Sequence, residues 1–284
     1  MQPTTCSQAL AVACASGLDR LDAQLLLLHA LGKPASSRSW LLTHDLDELA
    51  EEVVDAFQVS SQRRTDGEPL AYIVGSKEFF GLVLQVDARV LVPRPDTETL
   101  VEWSLDLLKT LDVPPALQVL DLGTGSGAIA LAIAHSLKAT GHEVVVTAVD
   151  ASAAALDVAR ENALRLSLAV QFFQSNWLAQ VSGRFDLIAS NPPYIASADP
   201  HLTALTHEPL HALVAGEDGL DDIRNIIRQA PGSLATGAWL LLEHGYNQAG
   251  RVRELLVQRG FTQVQSRLDL AGIERCSGGQ WLGG

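Results

Sequence analysis

The residues with the clearest chemical potential form a short proline-locked segment, Asn191, Pro192, Pro193 and Tyr194. It follows an apolar run, residues 185–190, that is typical of a buried strand, and ligands bind at the carboxyl ends of such strands. Two consecutive prolines fix two φ angles and remove two N–H donors, which leaves two rigid acceptors, the Asn191 side-chain oxygen and the Pro192 carbonyl. These acceptors can hold both hydrogens of an amide or aromatic amine and aim its nitrogen at an electrophilic methyl group, with Tyr194 as a flat face beside them. A loop without a ligand is the alternative.

A second candidate site is the glycine-rich turn at residues 121–127, which follows a short apolar strand and opens a helix. Glycine lets the chain turn sharply and lets a ligand approach the bare backbone. Asp150 ends the next predicted strand, where a carboxylate can accept both hydroxyls of a ribose. The pattern predicts a nucleotide-type cofactor bound by a set of turn residues and one acid: Asp121, Gly123, Thr124, Gly125, Ser126, Gly127 and Asp150.

The glycine turn alone leaves the cofactor ambiguous. With Ala128 it also satisfies the dinucleotide pattern G-x-G-x-x-G/A, so a nicotinamide-dependent oxidoreductase and a tight turn without a ligand are both alternatives. No Gly-Lys-Ser/Thr follows, which excludes a P-loop. An acid at Asp121 would repel a pyrophosphate but suits a cofactor that carries an ammonium and a sulfonium. A loop-fixing acid is the alternative interpretation of Asp121.

The elements that must position these residues alternate between strands and helices after Pro114 and Pro115. Short apolar runs separated by helical patterns indicate an α/β fold with a mostly parallel, doubly wound sheet. Residues 4–64 have helical spacing, whereas the run that includes Tyr72, Ile73 and Val74 is strand-like. The predicted division is a helical bundle at 1–68, a β-hairpin linker at 69–95 and an α/β domain at 96–284.

Composition narrows the class of protein. The chain has 284 residues and a formal net charge of −13, and it is acidic both before and after residue 90, which argues against a surface that grips nucleic acid. The cysteines Cys6, Cys14 and Cys276 and the eight histidines lack metal-ligand spacing. Residues 1–19 lack the pattern of a signal peptide, and residues 25–28 are too short to span a membrane. We therefore expect a cytoplasmic protein without a bound metal.

Several longer motifs resemble one known family. Residues 21–27 (LDAQLLL), 69–75 (PLAYIVG), 78–81 (EFFG) and 92–98 (VPRPDTE) occur in order, and residues 208–220 carry EP, AL and GEDGL. With the glycine turn and the NPPY segment, they make the chain similar to the HemK/PrmC peptide chain release factor N5-glutamine methyltransferases over nearly its full length. The resemblance implies a Rossmann-like class I S-adenosyl-L-methionine-dependent methyltransferase fold, with a seven-stranded, mostly parallel sheet, a small N-terminal helical domain and a β-hairpin linker.

The resemblance also implies roles for individual residues. The turn residues, Asp150 and Asn191 would bind S-adenosyl-L-methionine, and Trp177 would lie near the adenine. Asn191 and the three residues after it would bind the glutamine side chain of the Gly-Gly-Gln loop of a release factor, and the product would be S-adenosyl-L-homocysteine. Asn176 departs from the family pattern, in which an acid is common. The enzyme is expected to be a monomer that binds neither nucleic acid nor membrane directly.

Other residues allow two interpretations. Arg94, Asp96 and Glu98 either orient the substrate peptide or form a salt-bridged linker, and Glu208 is a candidate to reach the cleft. Residues 278–280 form a Gly-Gly-Gln sequence that is read as a coincidence, although self-methylation of Gln280 is a testable hypothesis. The alternative functions are an adenine-N6 methyltransferase of DNA or RNA, a methyltransferase of a ribosomal-protein glutamine, and a non-catalytic binding module.

Overall fold

The computed structural model describes residues 4–110, 116–140 and 143–283, so the predicted break at Pro114 and Pro115 lies outside the described residues. The chain forms two compact units, Met1–Ser76 and Lys77–Gly284. Among the described residues, no helix combines the length and the apolar character that a membrane span requires.

The first unit is helical. Its α1 begins with a capping box, in which Thr5 and Gln8 satisfy each other's backbone N–H groups, and α2 is capped by Asp19. Apolar side chains from all five helices, including Leu26, Leu27 and Phe57, form one buried cluster. The helices are α1 Cys6–Ala15, α2 Arg20–Ala30, α3 Arg38–Thr43, α4 Glu51–Thr65 and α5 Leu70–Val74, with a 3-10 turn at Ala35–Ser37.

Helix α5 corrects the strand expected at Tyr72, Ile73 and Val74. Pro69 precedes the helix and Gly75 ends it in the left-handed conformation, with φ 75°. A short apolar run has the same composition in a buried helix and in a strand, and here burial of one helical face decides. A two-stranded hairpin does follow, formed by β1 Ser76–Phe79 and β2 Leu82–Gln85, but it is shorter than the predicted segment.

The second unit alternates strands with helices, as the sequence predicts. Its remaining strands are β3 Leu117–Leu122, β4 Val144–Asp150, β5 Gln171–Gln174, β6 Phe185–Ser190, β7 Leu234–Glu243, β8 Thr262–Leu268 and β9 Glu274–Trp281. Its helices are α6 Glu98–Leu108, α7 Ala128–Thr140, α8 Ala153–Leu166, α9 Asp221–Gln229 and α10 Ala249–Arg259. Four 3-10 turns complete it, at Pro95–Thr97, Pro200–Ala204, Leu210–Ala212 and Ala230–Gly232.

These strands form one seven-stranded sheet in the order β5-β4-β3-β6-β7-β9-β8. The first five are parallel, and β9 runs antiparallel to both β7 and β8. Apolar side chains alternate between the two faces, so that Val119 joins one buried cluster and Leu120 joins the other. The expected α/β class, with a seven-stranded, mostly parallel sheet, is confirmed.

The strand register brings the predicted site residues to one edge of the sheet. Leu122 at the end of β3 pairs with Val149 in β4 and with Ser190 at the end of β6. Ser190 in turn pairs with Leu242, one residue before the end of β7. The glycine turn, Asp150 and the NPPY segment therefore leave neighbouring strands on the same side, because the carboxyl ends of parallel strands share an edge.

Candidate active site

The glycine turn depends on backbone conformations that other residues adopt with difficulty. Gly123 and Gly125 have φ of 70° and 54°. The backbone N–H groups of Gly123 and Thr124 both donate to Val149 O at 2.9 Å, which joins the turn to the neighbouring strand. A Cβ on Gly123 would lie 3.2 Å from the Trp177 ring. The turn is thus a bare backbone surface covered by an indole.

Asp121 lies beneath this turn and is completely buried. Its Oδ2 accepts hydrogen bonds from Thr124 Oγ1 at 2.7 Å and from Ala130 N at 3.2 Å, so the carboxyl group fixes the turn. Its Oδ1 has no hydrogen-bond partner among the described residues. Burial raises the pKa of Asp121 to about 7, against the lowering effect of those two hydrogen bonds. These contacts match the loop-fixing interpretation of Asp121.

Asp150 stands at the rim of the turn with its carboxylate held in place. Its Oδ2 accepts from Gly125 N at 2.9 Å, and its Oδ1 accepts from Ser152 N at 2.8 Å. Each carboxylate oxygen has a second lone pair, so both can still accept a further hydrogen bond. The arrangement can hold a pair of hydroxyl groups.

Trp177 is held over the turn in an unusual backbone conformation, with φ 50°. Its indole Nε1 donates to Asp222 Oδ1 at 3.0 Å, and its carbonyl accepts from Ser175 Oγ at 2.7 Å. Burial raises the pKa of Asp222, although the bond from Trp177 opposes this shift. The strained residue is therefore fixed at both its backbone and its side chain, which is common at ligand sites.

These groups surround a first cavity of about 250 Å³. Five residues of the predicted cofactor set line it: Gly123, Gly125, Asp150, Trp177 and Asn191. The other four, Asp121, Thr124, Ser126 and Gly127, are buried in the turn and lie outside the lining. The partly exposed residues of this set thus face the cavity, whereas the buried ones hold the glycine turn in its conformation.

The NPPY segment leaves β6 at the wall of this cavity. Ser190 Oγ donates to Leu122 O at 2.7 Å and fixes the end of β6 to β3. Pro192 and Pro193 are buried, and Asn191 Nδ2 donates to Thr97 Oγ1 at 3.2 Å. The amide nitrogen of Asn191 is therefore engaged by the protein.

A second cavity, also of about 250 Å³, adjoins the same segment. Its lining includes Arg94, Pro192, Tyr194 and Leu213. Pro193 lines the first cavity, whereas Asn191 lines both. Leu91 and Ala212 also line both cavities, so Asn191 is the polar member of the boundary that the two cavities share.

Tyr194 reaches behind the second cavity to a buried acid. Its hydroxyl donates to Glu243 Oε1 at 3.2 Å, and Glu243 at the end of β7 is completely buried. Burial raises the pKa of Glu243 to about 7, while hydrogen bonds from Thr97 and Tyr194 oppose that rise. The pKa of Tyr194 is raised, first by burial and then by the charge of Glu243, so Tyr194 stays a neutral donor.

The segment that follows, residues 195–220, packs back onto the NPPY segment. Ile195 pairs with Val214 as a parallel bridge. Gln248 Nε2 donates to Tyr194 O at 3.0 Å and to Asp218 O at 3.2 Å, which ties both segments to one side chain. The backbones approach closely at Gly219, where a Cβ would lie only 2.2 Å from Tyr194 O.

Comparison with known proteins identifies the family. The family model described as "PrmC N-terminal domain" matches residues 4–75, and "Methyltransferase small domain" matches residues 103–243. The chain is 46% identical over 267 residues to the release factor glutamine methyltransferase of Bordetella pertussis, covering 93% of this chain and 95% of that one. It is 45% identical over 266 residues to the protein of the same name from Vibrio cholerae, covering 92% and 89%.

This chain belongs to the release factor glutamine methyltransferases. The resemblance predicted from its motifs is confirmed. A solved 16S rRNA methyltransferase of T. thermophilus, in complex with AdoMet and guanosine, shares the fold with a TM-score of 0.53 at 19% identity, covering 72% of this chain and 49% of that one.

Within this member of the family, the motif 92–98 forms a salt-bridged linker. Arg94 forms an ion pair with the buried Glu208, whose Oε2 also accepts from Val92 N at 3.1 Å. Asp96 pairs with Arg275 at 3.2 Å, and Glu98 Oε1 accepts from Phe80 N at 3.0 Å. Of these charged side chains, Arg94 also lines the second cavity.

Asn176 and the histidines named above differ in their exposure and in their distance from the first cavity. Asn176 is exposed and lines the first cavity, as does the exposed His211. His244 is buried and bonded to Ser277, which fits a packing role. Among the residues that the structure describes, no group of three or more His, Cys, Asp or Glu side chains could hold a metal ion.

The internal Gly-Gly-Gln lies in β9, away from the site. Gln280 pairs with Trp239 in the middle of β7, whereas Cys276 pairs with Glu243 at the site end. The Gln280 amide donates to Gly237 O at 2.8 Å and accepts from Gln263 Nε2 at 2.6 Å. Its side chain is therefore already engaged within the sheet.

Sequence reasoning missed Thr97 and Glu243. Glu243 is the last residue of β7, so the strand-end rule that selected Asp150 and Asn191 would have selected it as well. Thr97 lies in the motif 92–98, but its contact with Asn191 spans 94 residues of sequence, so no local pattern indicated that contact.

Proposed function

We propose that this protein transfers a methyl group from S-adenosyl-L-methionine to the N5 side-chain amide of the glutamine in the Gly-Gly-Gln motif of a peptide chain release factor. The observation that carries the proposal is the position of Asn191, the polar side chain that lines both the cavity proposed for the cofactor and the cavity proposed for the substrate. The names of the relatives support this choice of substrate.

The first cavity fits the proposed cofactor. Asp150 has two oxygens with spare lone pairs for the ribose hydroxyls, and Trp177 offers an aromatic face for the adenine. Asp121 beneath the turn holds the glycine backbone that faces the cofactor, through its hydrogen bonds with Thr124 and Ala130. Asn176 can serve the adenine amine through its side-chain oxygen. When bound, S-adenosyl-L-methionine supplies a methyl group on a positively charged sulfur.

The NPPY segment grips the substrate amide in this proposal. An amide nitrogen is a weak nucleophile because its lone pair is delocalised into the carbonyl. Asn191 Oδ1 and the Pro192 carbonyl accept its two hydrogens, and Tyr194 packs against the glutamine side chain with Pro193 behind it. Alignment of the nitrogen, together with carbonyl dipoles that stabilise its developing positive charge, provides most of the rate.

The other parts of the chain take supporting roles in this proposal. The segment 1–68 recognises the release factor, segment 69–95 connects it, and segment 96–284 catalyses the reaction. We further propose that the enzyme acts as a cytoplasmic monomer that needs no metal and has no direct contact with nucleic acid or membrane.

The test is methyl transfer from radiolabelled S-adenosyl-L-methionine to a purified release factor, followed by mass spectrometry of the Gly-Gly-Gln peptide. We expect one added methyl on that glutamine and none on a release factor in which the same glutamine is replaced by glutamate. Asn191→Ala should lower kcat by roughly 10²- to 10³-fold, the usual loss when one transition-state hydrogen bond is removed.

Asn225→Ala is the matched control, because Asn225 bonds Arg228 and Gln229 and lines neither cavity. Duplex DNA, RNA and ribosomal proteins are offered as competing substrates in parallel. Label that enters one of these, and leaves the release factor unlabelled, would overturn the proposal.

A further inference from the structure

The end of the first cavity next to Trp177 contains a carboxylate that the sequence did not single out. Asp222 lies in the first turn of α9 and lines this cavity together with Trp177. Its Oδ1 accepts a hydrogen bond from Trp177 Nε1 at 3.0 Å. No hydrogen bond from the described residues reaches its other oxygen, Oδ2. One half of this carboxylate is therefore fixed, and the other half remains able to accept.

The bond to Trp177 fixes Asp222 at the rim of an aromatic face. One edge of the indole ring lies against the glycine turn, where a Cβ on Gly123 would approach it to 3.2 Å. The Nε1 atom on another edge of the same ring donates to Asp222. A planar base that packs beside this indole in the first cavity therefore has the Asp222 carboxylate near its rim.

Other polar groups beside Trp177 are engaged within the protein. Ser175 Oγ donates to Trp177 O at 2.7 Å and accepts from Gln180 N at 3.1 Å. The backbone N–H of Asn176 donates to Gln180 Oε1 at 3.0 Å. At this end of the cavity, the Asn176 side-chain oxygen and Asp222 Oδ2 are acceptors that a ligand can still use.

Two acceptors distinguish one purine from another by the group at position 6. Adenine has an amino group there, with two hydrogens to donate, whereas hypoxanthine and guanine have a carbonyl oxygen. A carboxylate accepts a hydrogen bond from the amino group but repels the carbonyl oxygen, because two acceptors cannot share a hydrogen that neither of them has.

We infer that Asp222 is a specificity-determining residue that accepts one hydrogen of the adenine 6-amino group through Oδ2 and so selects an adenine cofactor over a 6-oxopurine. This inference rests on the proposed function, which provides the adenine. The side-chain oxygen of Asn176 accepts the second hydrogen of the same amino group. Asp222 thereby supplies from α9 the acid that this chain lacks at position 176.

The first experiment measures binding to the unmodified protein. Calorimetry compares S-adenosyl-L-homocysteine with S-inosyl-L-homocysteine, in which a carbonyl oxygen replaces the 6-amino group. We expect the adenosyl ligand to bind roughly 10- to 100-fold more tightly, which is the usual value of a hydrogen bond to a charged group. Equal Kd values for the two ligands would overturn the inference without any variant.

The second experiment repeats the comparison with Asp222→Asn. Asparagine keeps the size of the side chain, and its oxygen can still accept from Trp177 Nε1 while its amide nitrogen replaces Oδ2. The Kd for S-adenosyl-L-homocysteine should rise by roughly 10- to 100-fold, whereas the Kd for S-inosyl-L-homocysteine should stay constant or fall. Loss of affinity for both ligands by the same factor would overturn the inference, because Asp222 would then only support Trp177.

Asp221→Asn is the matched control. Asp221 is the exposed neighbour of Asp222, pairs with Arg224 at 3.0 Å and does not line the first cavity. This variant removes the same charge from the same helical turn and should keep the wild-type preference between the two ligands. A preference that disappears equally in both variants would contradict a direct contact with Asp222.

Methyl transfer to a release factor separates cofactor recognition from the chemical step. In Asp222→Asn, the KM for S-adenosyl-L-methionine should rise while kcat stays within about twofold, because the 6-amino group takes no part in methyl transfer. A fall in kcat at constant KM would contradict the inference. A wild-type protein that prefers the adenosyl ligand but methylates no release factor would overturn only the proposed function.

Discussion

The close approach of two backbones at Gly219 gives a sharp test of how tightly the NPPY segment must be held. Gly219 has φ 74°, and a Cβ there would lie 2.2 Å from Tyr194 O and 2.8 Å from Gln248 Nε2. Real Cβ contacts essentially never fall below 3.0 Å, so Gly219→Ala must separate the Tyr194 backbone from residue 219 by at least 0.8 Å, the difference between 3.0 and 2.2 Å.

A displacement of about 1 Å in reacting groups can cost about 10²-fold in rate. We therefore expect Gly219→Ala to lower kcat by about 10²-fold, or about 2.7 kcal/mol in the activation barrier. Affinity for S-adenosyl-L-methionine should change much less, because the hydrogen bonds that fix the Asp150 and Trp177 side chains come from Gly125, Ser152 and Asp222 rather than from Tyr194 or Gly219. The loss should appear in the chemical step rather than in cofactor binding.

Gly237→Ala is the matched control for Gly219→Ala. Gly237 has φ 85°, so an alanine there bears the same left-handed strain of about 1–2 kcal/mol, but its Cβ would find its nearest described neighbour at 3.9 Å. The assay is steady-state methyl transfer together with the midpoint of thermal unfolding for both variants. A kcat for Gly219→Ala within threefold of that for Gly237→Ala, at similar stability, would refute the argument.

Two further variants and one mass measurement test the cofactor site, the buried Asp121 and the internal Gly-Gly-Gln. Asp150→Asn keeps the size of the side chain but removes its charge, so the Kd for S-adenosyl-L-methionine should rise by roughly 10- to 100-fold by calorimetry; an unchanged Kd would remove Asp150 from the cofactor site. Burial raises the pKa of Asp121 to about 7, so between about pH 4 and pH 7 the folded state keeps a proton on this carboxyl group that the unfolded state has released. The free energy of unfolding therefore falls as the pH rises through this range. Asp121→Asn should remove that dependence, by up to about 1.4 kcal/mol per pH unit, in denaturant unfolding at several pH values; an unchanged slope would contradict the assigned pKa. Gln280 should gain no methyl, since Gly237 O already holds its amide nitrogen, and intact mass after incubation with cofactor checks this.

The sheet was predictable from the sequence because its strands are apolar runs bounded by polar residues. The run at 185–190 matches β6, Phe185–Ser190. Tyr72 to Val74 was misassigned because a five-residue helix is too short to show its period, and only the burial of its apolar face distinguishes it from a strand.

The sequence predicted the site residues that lie at strand ends. It did not predict the residues whose place in the site depends on contacts between distant segments. Asp150 and Asn191 follow predicted strands and do line the first cavity. The complete burial of Asp121 could not be read from its type, since an acid before a glycine turn can face either the ligand or the helix. The hydrogen bond from Asn191 to Thr97 joins segments that are distant in sequence, which no local pattern records.

The most direct measurement of the central claim is a crystal structure of the enzyme with S-adenosyl-L-homocysteine and a Gly-Gly-Gln peptide. We expect the glutamine amide nitrogen in the second cavity, about 3 Å from both Asn191 Oδ1 and the Pro192 carbonyl, and facing the cofactor sulfur. A glutamine side chain bound elsewhere, or an Asn191 amide nitrogen turned towards the substrate, would contradict the account.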